Sequence, residues 1–337
     1  MKRTKIILIT GSYPPNHCGV GDYTSKLFEF LKETDKFHVD LFYKSDWSLK
    51  YYFKYLRELF KAKSDVLHFQ YPTEGYGYSI VPLMLLISLF KKNTVVTIHE
   101  LSSRNKLAYV YTQLLVFFSK RVIVSNNLEE KHARRFVFKP EKISVIPIAS
   151  NIQKSNFAEI DFKEREIDLA YFGHIRPIKG IESFLYTISL FKRNLNVQLI
   201  GQILAKYVNF FEEINVKADK LNVLMVVNKD ENEVADILAK VKILYLPFPD
   251  GISNRRGTLL AGIQNGCVVV STKSAIQDVN DFFDKYCYLV DTNEEAAVII
   301  EKLLNGKMNL KEQTQIKHVF SWDNVILEHL KIYNNFD

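Results

Sequence analysis

The sequence predicts an α/β chain made of two Rossmann-like halves, each built on its own parallel sheet. Three observations carry that expectation. Short apolar runs of strand length alternate with amphipathic helical stretches along the whole chain. The alternation lapses between Ala149 and Arg165, a charged stretch without periodicity that reads as an interdomain linker, and restarts at Ile167. The chain has 337 residues, 47% of them hydrophobic, which suits about two domains with a sizeable core in each. Two such halves leave a cleft between them, and ligands are expected there, at the strand C-termini.

Composition narrows the function classes. Lys+Arg 45 against Asp+Glu 38 gives a net charge of +7, a modest bias compatible with an anionic substrate, a membrane surface or nucleic acid. The basic residues are spread among acidic ones rather than gathered in a stripe, which argues against nucleic acid. Cys18, Cys267 and Cys287 show no CxxC and no paired spacing, so a reduced, cytoplasmic setting is expected rather than a disulfide scaffold or a zinc site. The apolar run after the basic N-terminus is only a strand long before Gly11 and Pro14-Pro15, so it does not read as a signal peptide. The longest apolar stretch, Ile80 to Phe90, is broken by Pro82 and Ser88 and is too short to span a bilayer.

Lys5 to Thr10 reads as a central strand, followed by a Gly- and Pro-containing loop and a helix bearing Leu27, Phe28 and Leu31. This opens a Rossmann-like unit without the dinucleotide fingerprint. Gly19 and Gly21 would let a ligand approach the backbone at the helix start; a plain tight turn is the other reading. Phe37 to Tyr43 is a second strand. Residues 48 to 63 form a basic, aromatic helix, with Tyr51, Tyr55, Leu56, Leu59 and Phe60 on one face and Lys50, Lys54, Arg57 and Lys61 on another. That helix could lie on an anionic membrane surface or pack with a solvated basic side.

Val66 to Tyr71 is a third strand whose polar residues, His68 and Gln70 with Tyr71, stand at the ligand end and read as acceptor-side residues. Asn93 to Ile98 is a fourth, ending at His99, a functional group or a satisfied core histidine. Arg121 to Ser125 and Ile143 to Pro147 complete the sheet around a charged helix from Asn127 to Arg135.

The second half opens on the strand Ile167 to Phe172. Gly173 breaks it, and a loop carrying Arg176 and Lys179 feeds a helix with Ile181, Phe184, Leu185, Ile188 and Phe191 on one face. Free N–H groups at a helix start and two fixed cations suit a phosphate or diphosphate; a solvated basic turn is the alternative. Later strands are Val197 to Ile200, Leu221 to Val227, Ile243 to Pro247, Cys267 to Thr272 and Tyr288 to Val290. After Pro247, a loop with Asp250, Ser253, Arg255 and Arg256 opens a helix at Gly257-Thr258. It offers N–H groups, hydroxyls and cations to phosphate, and Asp250 to sugar hydroxyls.

Four matches in this order resemble the retaining, nucleotide-sugar-dependent glycosyltransferases of the GT-B fold, most like glycosyltransferase family 4. They are Pro14-Pro15 with Gly19-Val-Gly21, Gly173 to Gly180 with Lys179 before the last glycine, the loop–helix–strand from Pro247 to Thr272, and Phe320-Ser321-Trp322 before the final helix. The resemblance implies residues 1–155 as the acceptor-side domain, 165–319 as the nucleotide-sugar domain, and 320–337 as a helix packing back on the first. It implies that Lys179 binds the donor diphosphate, with Arg176 in the place of the family's neighbouring arginine, and that His99 stands near the transferred sugar. The positions of the family's glutamate pair fall on Ser253 and Ala261, and the resemblance puts Asp250 in the place of the first glutamate.

The function expected is therefore transfer of a sugar from a nucleoside-diphosphate sugar to a glycan or lipid-linked acceptor, with retention, in polysaccharide or glycoconjugate synthesis. His99, Arg176 and Lys179 are the catalytic candidates. No metal or other cofactor is expected, since cations and a helix N-terminus can stabilise the leaving group. The location expected is cytoplasmic, peripheral on the inner face of the membrane. A GT-B-fold epimerase, a phosphorylase and a non-catalytic nucleotide-sugar-binding protein are the alternatives. The base, the sugar and the acceptor stay open.

Overall fold

A computed structural model describes residues 3–15 and 18–336; Asn16 and His17 of the first loop lie outside the described residues. The chain forms two compact units, residues 1–148 with 322–337, and residues 149–321.

In the first unit the order is β1 (Thr4–Thr10), α1 (Gly19–Glu33), β2 (Phe37–Tyr43), α2 (Tyr52–Lys61), β3 (Val66–Tyr71), α3 (Val81–Ser88), β4 (Asn93–Ile98), α4 (Lys106–Phe118), β5 (Arg121–Val124), α5 (Asn127–Ala133) and β6 (Ile143–Val145). The sheet is parallel, in the order β2-β1-β3-β4-β5-β6. β3 is buried along its whole length, as a strand covered on both faces must be. One face packs Ile7, Leu67, Phe69 and Val96 against Leu59, Leu85, Leu86 and Leu115 of α2, α3 and α4.

The second unit follows as β7 (Ile167–Phe172), α6 (Ile181–Ser189), β8 (Val197–Gly201), α7 (Val208–Lys220), β9 (Val223–Val227), α8 (Glu231–Ala239), β10 (Val241–Leu246), α9 (Gly257–Gln264), β11 (Val268–Thr272), α10 (Gln277–Phe283), β12 (Tyr288–Val290), α11 (Asn293–Leu304) and α12 (Thr314–Val319). Its parallel sheet runs β12-β11-β10-β7-β8-β9. The closing helix α13 (Trp322–Asn334) returns to the first unit and packs on α1.

The stretch 149–165 is not a free linker. It folds onto the second unit as a strap: the Ser155 N–H donates to Asn265 Oδ1 at 2.8 Å and its hydroxyl to Asp236 at 2.6 Å. Arg165, at the end of the strap, is buried and donates only to backbone carbonyls, those of Ala158, Ile160, Leu238, Val241 and Asn265. Two of these carbonyls lie at the C-terminal ends of α8 and α9, where a cation complements the helix dipole. Charge without periodicity concealed this, because the contacts are backbone-directed. Several element ends also move: α2 spans Tyr52–Lys61 rather than 48–63, α5 stops at Ala133, β6 stops at Val145 and β11 begins at Val268. β9 begins at Val223 because Asn222 turns with φ +55, and β10 begins earlier, at Val241, paired with Ile167 of β7.

Candidate functional site

The site is assembled in the second unit by two loops pressed together. After β7, the Gly173 N–H still donates to the Ile200 carbonyl and the Ile175 N–H to that of Gln202, both at 3.0 Å, so the chain tracks the sheet before turning away. It turns through Ile178 at φ +64 and Gly180 at φ +80. A Cβ on Gly180 would stand 1.9 Å from the Pro247 carbonyl oxygen, so only glycine lets this loop lie against the one that follows β10. Tyr171, buried on β7, fixes the same loop by donating its hydroxyl to the Lys179 carbonyl at 3.0 Å.

The charges of both loops converge. Burial, reinforced by Arg176 and Arg256, holds the Lys179 pKa below the usual lysine range, and only Asp250 opposes it. Arg256 is ion-paired with Asp250, and its guanidinium lies 4.5 Å from the centroid of the Phe248 ring. Its Nε is buried with no hydrogen-bond partner. A cluster of three cations with one carboxylate, one buried donor unmet, lies beside the starts of α6 and α9. It is short of negative charge, which a diphosphate would supply in charge-assisted hydrogen bonds.

The other residues singled out from the sequence surround this cluster. Gly173 is buried beneath the loop. The Ser253 carbonyl accepts the Arg256 N–H at 3.2 Å, and Gly257 and Thr258 open α9. Arg255 is exposed and Arg256 half-buried; it is Arg256 whose field reaches Lys179. Ala261, where the family's second glutamate would fall, is fully buried on the inner side of α9. Next to the cluster is an open pocket of about 390 Å³, lined in part by Ser183, Pro247, Phe248, Lys273, Asn293 and Glu294. Tyr171 and Phe248 were missed from the sequence. Their roles depend on which loops meet, and aromatic residues at strand ends are unremarkable.

In the first unit, His99 is buried and its Nε2–H donates to Gln70 Oε1 at 2.9 Å. The Gln70 amide and the Thr97 hydroxyl donate to His68 Nε2 at 3.2 and 2.7 Å, which leaves His68 Nδ1–H to donate to the Tyr333 oxygen of α13 at 2.7 Å. Burial pushes the His99 pKa down to about 3, with His329 adding to the effect, so His99 is a neutral hydrogen-bonding group. The acceptor-side reading of His68 and Gln70 gives way to a supporting one. Both are fully buried, and their polar atoms hold His99 and α13. Tyr71 is also enclosed, packed on Tyr76 and Tyr111 under the Arg104 guanidinium. Gly21 lies against Ser12, where a Cβ would come within 3.1 Å of the Ser12 backbone; Gly19 begins α1 in open space. Tyr23, a further residue missed from the sequence, sets its ring edge-on to His99 at 5.1 Å and meets Trp322 at 5.3 Å.

Two parallel six-stranded sheets in these orders are the architecture of the GT-B fold. Residues 8–153 match the sequence pattern of Glycosyltransferase Family 4. A glycosyltransferase of Rickettsia africae ESF-5 is similar at TM-score 0.72 and 15% identity, with 99% of each chain covered. A sucrose-phosphate synthase of Thermosynechococcus elongatus is similar at TM-score 0.68 and 16% identity, again over 99% of each chain. HepE of Anabaena, solved in complex with UDP, is similar at TM-score 0.66 and 14% identity, over 99% of this chain and 98% of that one. No curated protein matches the chain in sequence.

Proposed function

We propose that this protein transfers a sugar from a nucleoside-diphosphate sugar to a hydroxyl of a glycan or lipid-linked acceptor, with retention, in polysaccharide or glycoconjugate synthesis. The observation that carries the proposal is the convergence of Lys179, Arg176 and Arg256 around the buried, unpartnered Arg256 Nε. When the bond from the anomeric carbon to the donor phosphate breaks, its electron pair stays on the diphosphate. These cations stabilise that charge without a metal ion. The acceptor oxygen bonds to the anomeric carbon on the same face, and its proton passes to the departing phosphate. No nucleophilic carboxylate is then needed. His99, held neutral, acts as a hydrogen-bonding group toward the sugar.

HepE binds UDP and UDP-glucose, which favours a uridine donor for this chain too. On the first unit, an open groove of about 590 Å³ bordered by Asp46, Glu74 and Tyr78 offers carboxylates and one exposed aromatic ring to a hydroxyl-rich acceptor. The buried, unpaired thiols of Cys18, Cys267 and Cys287 suit the cytoplasm. The test is a thermal-shift panel of UDP-, GDP-, ADP- and CMP-sugars, run with EDTA. One of them is expected to raise the melting temperature, because a ligand that binds only the native state stabilises it. If no sugar nucleotide moves the transition, the donor site is wrong. If one moves it but no acceptor mixture consumes it, the protein binds without transferring.

A further inference from the structure

The outward side of the first unit carries an apolar surface that its fold does not use. α3 packs between α2 and α4. The Tyr52 hydroxyl meets Ser88 Oγ at 2.6 Å, and the Tyr111 hydroxyl donates to the Ser79 carbonyl and accepts the Leu83 N–H, each at 3.2 Å. The three helices therefore present one continuous outer face. Their inner sides bury Leu59, Leu85, Leu86, Leu115 and Val116. Of the aromatic face read from the sequence on α2, Tyr55 and Leu59 turn inward and are buried, while Phe60 is half exposed.

The outer sides are apolar as well. On α4, Leu107, Val110, Leu114 and Phe117 form an exposed stripe at helical spacing, with Leu107 85% exposed. Phe53 of α2 (78% exposed) and Phe90 just after α3 are exposed as well. No charged residue lies between Leu107 and Phe118 or within α3. A helix apolar on both sides belongs in an apolar surrounding, and a contiguous exposed patch of this kind marks an interaction surface.

We propose that this face docks on an anionic phospholipid bilayer. The argument is charge complementarity. Lys54 and Arg57 on α2, Lys91 after α3, Lys106 at the start of α4 and Lys120 just after its end are exposed on the same three-helix segment as the apolar side chains. The one acidic residue of α2, Glu58, is already ion-paired with Lys44 at 2.8 Å. Among the described residues, no helix is long and apolar enough to cross a membrane. The arrangement is that of an interfacial anchor: apolar side chains enter the acyl boundary while lysines and arginines meet the headgroups. This deepens the lipid-linked side of the acceptor reading, but it stands on the surface alone and is tested without turnover.

The experiment is flotation of the full chain with vesicles of phosphatidylcholine alone and of phosphatidylcholine containing one third phosphatidylglycerol. The chain is expected to float with the anionic vesicles and much less with the neutral ones. Leu107→Glu combined with Val110→Glu is expected to cut that binding about tenfold or more. Lys54→Glu with Arg57→Glu is expected to erase the difference between the two vesicle types. Circular dichroism and the sugar-nucleotide thermal shift should be unchanged in both variants, which separates a failed membrane face from a failed donor site. The proposal is overturned if the wild-type chain stays soluble with anionic vesicles, or if the Leu107/Val110 variant floats as the wild type does. It is also overturned if the face instead joins two copies, seen as a dimer by light scattering that the same variant dissolves while vesicles are ignored.

Discussion

At the scale of single residues, Asp250 and Arg256 make the sharpest distinction. The Asp250 carboxylate occupies Arg256 and partly offsets the repulsion felt by Lys179. A diphosphate would have to take Arg256 from it. Arg256→Ala is expected to weaken nucleoside-diphosphate binding by about 2 kcal/mol, the worth of a charge-assisted hydrogen bond. Asp250→Asn is expected to tighten the bare nucleoside diphosphate by freeing Arg256 and, if the proposed role of Asp250 as acceptor for sugar hydroxyls holds, to slow sugar transfer. Calorimetric affinities alongside turnover check both, and equal tightening of nucleotide and turnover would remove the sugar role. Since the Lys179 pKa is held below the usual lysine range by burial and its two arginine neighbours, diphosphate affinity should fall at alkaline pH before an ordinary lysine would lose its proton.

The strands were the most legible elements, and the reason is physical. Phe37–Tyr43, Val66–Tyr71 and Ile167–Phe172 are mostly apolar or aromatic, broken only by His38, Asp40, His68, Gln70 and Asp168, and are closed by charge, Pro or Gly; largely apolar runs of this length are how parallel strands appear in sequence. The Gly173 loop and the Pro247 loop were legible for the same reason, as breaks after such runs. What could not be read were contacts between distant segments. The Tyr333 hydroxyl of α13 meets His68 across 265 residues of sequence, and nothing local in either segment announces it. That contact makes α13 a structural part of the first unit. Tyr333→Phe would leave the buried His68 Nδ1–H without an acceptor, at a cost of about 1–3 kcal/mol. Urea denaturation of the variant measures this, and a midpoint unchanged from the wild type would mean that α13 contributes no such bond.

At the scale of the whole molecule, the two units should answer to different agents. The first unit holds His68, His99 and His329 buried, and burial depresses all three, His99 to about 3 and His329 to about 4. Each is neutral in the fold but binds a proton below about pH 6.5 once unfolded. Their contribution to stability is therefore complete above that pH and is lost as the pH falls toward the folded values. With three such groups the slope near pH 5 is about 4 kcal/mol per pH unit. The second unit contains the cation cluster and should be stabilised by sugar nucleotide instead. In a thermal scan, acidification should lower the transition of the first unit while nucleotide raises that of the second. Intrinsic fluorescence follows the first unit, since Trp47 and Trp322 are both in it.

The Arg165 clamp has a practical consequence for anyone handling the protein. Lys154 and Lys163 sit exposed on the strap that this guanidinium fastens, so both look like easy trypsin targets, yet a bolted peptide cannot fit the extended shape a protease needs. Lysine in place of Arg165 brings three donors on one nitrogen, where the guanidinium spreads five over a planar fork, so the carbonyls it now serves could not all be met. Arg165→Lys should then turn slow nicking into fast scission at those two points, visible on a gel as two large fragments, with the short piece between them lost, well before the intact chain loses its fold.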